Sequence, residues 1–251
     1  MLVMGILNIT PDSFADGGRY NTLEGAIRHA REMIAEGVDI IDIGGESTRP
    51  GAERVSESEE LSRVIPVITA LANDGVKISI DTMRASTAQV AIESGAHIIN
   101  DVSGGLSDSK MLAMASRLKT PYIAMHWRGQ SKDMNRMAVY KDVVRDVISE
   151  LQERIDAALD AGIVKENLII DPGIGFAKDA DHNWEIIDHV GEFVALGYPV
   201  LIGGSRKRFL GGNTPDEREE ASIALTKRLS TTGIWGVRVH SVKPHKEVLP
   251  L

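Results

Sequence analysis

Eight short apolar runs in this 251-residue chain each give way to polar or charged side chains. These are Asn8, Asp42 with Glu46, Asp81, Asn100 with Asp101, His126, Asp171, Ser205 with Lys207, and Arg238 with His240. Taken singly, an Asp or Asn in such a place opens a turn or caps a helix. Taken together they describe a site crowded with carboxylates, and unpaired charge is costly once it leaves water. Lys207, Arg238 and a bound substrate are the partners such a site needs. No triad stands out, and the absence of cysteine excludes thiolate nucleophiles and thiolate metal sites. A convergence of this kind is a functional signal that no single residue carries.

The elements that must position these groups alternate regularly. Residues 2–7, 38–43, 77–80, 96–99, 121–125, 168–170, 199–202 and 236–239 are brief, β-branched-rich runs without clean alternation, the pattern of strands buried on both faces. Between them lie helical patterns. In 140–161, Val143, Val147, Leu151 and Ile155 recur every fourth residue, with Gly162 at the expected C-terminal stop. Another opens at Thr214 with Pro215 and Glu217 in a capping-box arrangement and runs to Gly233. Weaker patterns fit 22–36, 57–73, 85–94 and 109–118. Eight strand–helix units in this length predict an α/β chain with one domain over residues 1–251, a (β/α)8 TIM barrel. In that fold the polar strand ends share one rim, where barrel enzymes build their sites.

Composition narrows the class. With 28 basic and 36 acidic residues, the net charge of −8 argues against a nucleic-acid surface. The apolar N-terminal run is too short for a signal or a membrane span and reads as a buried strand; the expected setting is cytoplasmic. The stretches 8–20 and 44–56 are long and rich in turn-formers, as lids and binding loops are. The glycines at 173 and 175 lack the third member of a dinucleotide fingerprint, and 203–207 lacks P-loop spacing. The seven histidines show no H-E-x-x-H pair, and the three tryptophans no stacking arrangement.

Several motifs resemble the dihydropteroate synthases of folate biosynthesis. They are G-I-L-N-I-T-P-D-S-F-A-D-G-G at 5–18, D-I-G-G-E-S-T-R-P-G-A at 42–52, I-D-T at 80–82, I-I-N-D at 98–101, M-H at 125–126, I-D-P-G-I-G-F at 170–176, G-S-R-K at 204–207 and R-V-H at 238–240. The first two are specific, and together the motifs span nearly the whole chain. What the resemblance implies is condensation of 6-hydroxymethyl-7,8-dihydropterin pyrophosphate with p-aminobenzoate, giving 7,8-dihydropteroate and pyrophosphate. A non-catalytic pterin-binding paralogue and a pterin-binding methyltransferase module are the alternatives.

Carried onto this chain, the resemblance implies a pterin held by Asp171, Asp81, Asn100 and Lys207, with Met125 on a ring face. A carboxylate such as Asp171 suits an amino-pyrimidinone edge, accepting two N–H groups in parallel. Arg238 and His240 would grip the diphosphate, and Mg2+ would sit on Asn8. Phe176 and Ser205 would wall the p-aminobenzoate slot, with Asp12, Phe14, Thr48, Arg49 and Pro50 on the lids above. Lys207, Asp171, Asp81, Arg238 and His240 form the implied catalytic set. The resemblance implies small-molecule partners, with no nucleic acid or membrane, and leaves a homodimer open. One departure concerns the anion grip: Ser241 follows His240 where the family commonly has an acidic residue.

Overall fold

In a computed structural model describing residues 1–9, 23–46, 54–130 and 134–250, all eight apolar runs form strands. They are β1 (Leu2–Asn8), β2 (Ile40–Gly44), β3 (Lys77–Asp81), β4 (Ile98–Asp101), β5 (Tyr122–Met125), β6 (Leu168–Asp171), β7 (Leu201–Ile202) and β8 (Gly236–Val239). Every pairing is parallel, in the order β6-β5-β4-β3-β2-β1-β8-β7. The barrel closes between β6 and β7 through one bridge, Ile170 opposite Val200, with Ile170 N donating to Pro199 O at 2.9 Å. Asp12, Phe14, Thr48, Arg49 and Pro50 lie outside the described residues.

The helices packed on the outside are α1 (Leu23–Ala35), α2 (Glu57–Leu71), α3 (Ala85–Glu93), α4 (Met111–Leu118), α5 (Val143–Asp160), α6 (Ala180–Asp188), α7 (Val190–Val194), α8 (Glu219–Leu229) and α9 (Lys243–Glu247). The fourfold repeat in α5 is buried as its spacing predicts, and the Asp142 carboxylate caps the helix by accepting from Arg145 N. The helix expected at Thr214 begins instead as a 3-10 turn, Asp216–Arg218, before α8. Thr214 Oγ1 does accept from Glu217 N, but the Glu217 carboxylate accepts from Asn213 N, one residue before the box position. At its other end α8 stops before Gly233, where Ser230 and Thr232 hydroxyls donate to the carbonyls of Lys227 and Leu229. Helices α6 and α7, and the short α9, fall in segments where periodicity alone predicts none. None of the helices among the described residues is long and apolar enough to cross a membrane.

Strand ends depart from the sequence reading in a consistent way. Val38 and Ala96 close helices rather than open strands. Each follows a left-handed glycine, Gly37 at φ +85° and Gly95 at φ +115°, and donates its N–H to a carbonyl five residues back, Met33 O or Ala91 O. At the other ends the strands run further, so that Asn8, Asp81, Asn100, Asp101 and Asp171 are the last paired residues instead of the first loop residues.

Alternation along the strands then builds two apolar layers. Val3, Leu7, Ile41, Ile43, Ile78, Ile80 and Ile99 pack outward against the helices. Met4, Ile40, Ile98, Ile123, Ile169 and Leu201 fill the inside of the barrel. One step of two residues further along each strand, the same inward face carries Asp42, Asn100, Met125, Asp171 and, beside Met4, Arg238. An apolar plug thus supports a polar layer.

Candidate active site

Register brings the polar groups level. Asp42 pairs with Ser79, Asp81 with Asn100, and Met125 with Asp171. Arg238 rises among them from β8. Its Nε donates to Asp42 Oδ2 and its Nη2 to Asp81 Oδ2, each at 2.6 Å. Asp42 Oδ2 also accepts from Asn100 Nδ2 at 3.0 Å. A carboxylate only accepts, so Asp42 fixes the guanidinium and the Asn100 amide orientation together. Asp42 Oδ1 and Ser79 Oγ are buried without a hydrogen-bond partner among the described residues. They are polar capacity that the described protein groups leave unused.

On the far side of Arg238 stands the second half of the site. A Cβ added at Gly203 would lie 3.9 Å from Asp171 Oδ2 and 4.0 Å from both Lys207 Nζ and Arg238 Cβ. Three side chains from distant parts of the chain therefore converge on one point. Asp171 Oδ1 accepts from Gly173 N at 2.7 Å. Lys207 donates to Ile174 O and lies over the Phe176 ring, 4.6 Å from its centroid. Met125 packs in a small apolar cluster with Met83, Val102 and Phe176. Ser205 Oγ lies 3.0 Å from His240 Nδ1 and accepts from His240 N at 3.3 Å.

Burial dominates the titration of these groups. It pushes Asp81 up to about 7, against the pull of Arg238 and with help from Asp42. It raises Asp171 as well, opposed by the Gly173 N–H and by Lys207, Lys178 and Arg238. It lowers Lys207 to about 8, with Asp171 resisting. Arg238 stays charged because Asp42 and Asp81 outweigh its burial.

Of the expected site residues, Asn8, Asp81, Asn100, Met125, Asp171, Phe176, Ser205, Lys207, Arg238 and His240 all lie at this end of the barrel. Other polar strand ends serve the scaffold. Asp101 faces outward, its carboxylate accepting from Ser103 N and Oγ, Gly105 N and Tyr122 OH. Glu46 binds Arg54 at 2.9 Å and Arg84 at 2.8 Å. His126 turns to Glu150 and to Lys178, a buried lysine that sequence reasoning passes over. A signal for it exists: one cation two residues after Phe176, closing an otherwise apolar P-G-I-G-F-A-K stretch.

For Mg2+, the donor set decides the fit. Among the described residues no group of three His, Asp or Glu side chains could hold a metal. Gly44 separates Asn8 from Asp81: a Cβ there would lie 3.5 Å from Asn8 Oδ1 and 3.7 Å from Asp81 Oδ2. Hard oxygen donors without a cage suit an ion that keeps its waters and takes further ligands from substrate phosphates.

Residues 4–240 match the family described as pterin binding enzyme. The chain is 45% identical over 257 residues to the dihydropteroate synthase of Mycobacterium leprae, covering 98% of this chain and 90% of that protein. Its fold is similar to the crystal structure of the Yersinia pestis dihydropteroate synthase with a sulfonamide drug complex, at a TM-score of 0.94 and 42% identity, covering 98% and 91% of the two chains. It is also similar to the Xanthomonas albilineans dihydropteroate synthase with 4-aminobenzoic acid, at a TM-score of 0.91 and 42% identity over 98% and 89%.

Proposed function

The chain belongs to the pterin-binding enzyme family, among its dihydropteroate synthases, and from that premise we propose how the barrel mouth works. The reaction condenses 6-hydroxymethyl-7,8-dihydropterin pyrophosphate with p-aminobenzoate and releases pyrophosphate. The carrying observation is the convergence of Asp171, Lys207 and Arg238 around Gly203, with Arg238 tied on to Asp42 and Asp81.

In this reading Asp171 accepts the paired N–H donors of the amino-pyrimidinone edge, and Asp81 and Asn100 meet the remaining ring heteroatoms. Lys207 donates to the carbonyl and N5 side. Met125 packs on the ring, where a polarizable thioether adapts to its face. Arg238 directs Nε and Nη2 to carboxylates, and its third nitrogen, Nη1, is the donor offered to the diphosphate, beside His240. Phe176 and Ser205 wall the p-aminobenzoate slot.

The arylamine is neutral at pH 7 and attacks without a base. The carbon–oxygen bond breaks toward the diphosphate with its electron pair, the arylamine nitrogen then bonds the pterin methylene, and the amine proton leaves with the departing anion or water. Catalysis is therefore positioning and charge stabilisation, with cleavage ahead of attack. Asn8 is the residue that would hold Mg2+, which when bound neutralises charge on the diphosphate. The enzyme works in the cytoplasm in this reading.

The test is pyrophosphate release that depends on p-aminobenzoate, measured with both substrates and Mg2+ present. No release would leave a pterin-binding protein without this activity. A secondary kinetic isotope effect near unity at the pterin methylene would refute the order of bond changes.

A further inference from the structure

Lys178 is buried, and no step above uses it. Its ammonium reaches three acceptors: His126 Nδ1 at 2.9 Å, Gly173 O at 3.1 Å and Phe176 O at 3.0 Å. An ammonium has three donors, so the match is complete. Because His126 Nδ1 must accept from Lys178, its Nε2 carries the hydrogen and donates to Glu150 Oε2 at 2.9 Å. Glu150, partly exposed on α5, is held in turn by Arg128. A chain of polar contacts thus runs from the protein surface to the turn after β6.

That turn needs holding. Gly173 (φ +69°), Gly175 (φ +78°) and Ala177 (φ +47°) all take left-handed backbone, and for alanine this costs on the order of 1 kcal/mol. Gly173 also presses on its neighbour, since a Cβ there would come 2.4 Å from His126 O. Much of the turn's polar backbone is tied. Gly173 N is tied to Asp171, Gly175 N to Asn183 and Ala177 O to Tyr140 OH. Ile174 O takes Lys207, and Lys178 takes Gly173 O and Phe176 O. Lys207 is therefore set by groups on this turn, the Ile174 carbonyl and the Phe176 ring.

We infer that Lys178, anchored through His126 to Glu150, is a positioning residue for the condensation, holding the 173–176 turn so that Phe176 meets the p-aminobenzoate end of the site. The inference rests on the functional reading above. Asp81 and Asn100 lie on β3 and β4, away from the turn, Asp171 keeps its own strand pairing, and Lys207 meets the turn at the Ile174 carbonyl, which Lys178 does not touch, so the larger effect of Lys178 falls on the p-aminobenzoate side.

The experiment is steady-state kinetics of wild type, Lys178→Met and Glu150→Ala with each substrate varied in turn. Lys178→Met should raise KM for p-aminobenzoate ~10-fold and lower kcat ~10-fold, with KM for the pterin pyrophosphate within ~2-fold of wild type. Should Lys178→Met not fold, Glu150→Ala, at the exposed end of the chain, carries the test with a ~3-fold rise in KM for p-aminobenzoate alone. A folded variant with wild-type KM for p-aminobenzoate, or with both KM values raised equally, overturns the inference. Absence of turnover by the wild type would overturn the functional reading and this inference with it; normal wild-type turnover beside an unaffected variant would overturn the inference alone.

Discussion

Replacing Arg238 with methionine keeps the bulk of the side chain and strands two carboxylates inside the barrel, Asp42 fully buried and Asp81 6% exposed. Breaking a buried ion pair from one side costs about 3–5 kcal/mol, because the remaining charge has neither water nor a partner. For a domain of this size each kcal/mol lowers Tm by about 2–4 °C, so Arg238→Met should melt roughly 10 °C lower. The loss also depends on pH, and in a known direction. Arg238 pulls the Asp81 pKa down, so its removal raises it; below about 7 Asp81 is already protonated in the wild type and that part of the loss is absent. Above that value it grows by up to ~1.4 kcal/mol per pH unit. Urea unfolding of wild type, Arg238→Met, Asp42→Asn and the double variant from pH 6 to 8 measures both effects. The cycle should show a coupling of ~2 kcal/mol between Arg238 and Asp42. A loss below ~1 kcal/mol, or one unchanged across this pH range, would refute the placement of Arg238 as the charge anchor of the site.

Lys207 supplies a second test. Burial lowers it to about 8, and loss of the proton removes the positive charge and one of three donors, so kcat/KM for the pterin pyrophosphate should fall as pH rises through about 8. A profile flat to pH ~9.5 would remove Lys207 from that role. His126 predicts acid sensitivity: burial, assisted by Lys178, holds it at about 4 against 6.5 in the unfolded chain. The unfolded state binds the extra proton between those values, so stability falls by about 3 kcal/mol as pH drops from 6.5 to 4. His126→Gln should flatten that part of a stability–pH curve, and an unchanged curve would contradict the neutral tautomer. Asn8→Ala should raise the Mg2+ concentration needed for half-maximal rate several-fold while leaving Tm near wild type, and an unchanged requirement would reassign the ion.

Much of this site is legible in the order of residues alone. Asp81, Asn100 and Asp171 stand at the ends of apolar runs, and parallel strands in a barrel bring such ends to one rim whatever the connections do. Strand limits are less legible. Val38 and Ala96 look like strand residues by type, yet the helix-closing turns before them claim their N–H groups, a contest that periodicity does not register. Pairings across the barrel are hidden for a different reason. Arg238 meets Asp42 at a separation of 196 residues, and only the register of β2, β1 and β8 makes them neighbours. By spacing, Lys178 is merely an interruption of a glycine fingerprint; its meaning depends on three acceptors, none of which a spacing rule would name.

The closure of the barrel carries a consequence of its own. Asp171 ends β6 and Lys207 follows β7, so the acid and base that flank the site sit on opposite banks of the seam, which one strand bridge at Ile170 and Val200 and the Lys207–Ile174 hydrogen bond join. Parting those banks gives up one strand bridge, against two paired residues between β7 and β8 and three to five between the other neighbours. A motion that opened the cylinder would begin between Asp171 and Lys207, where the fewest strand pairings oppose it.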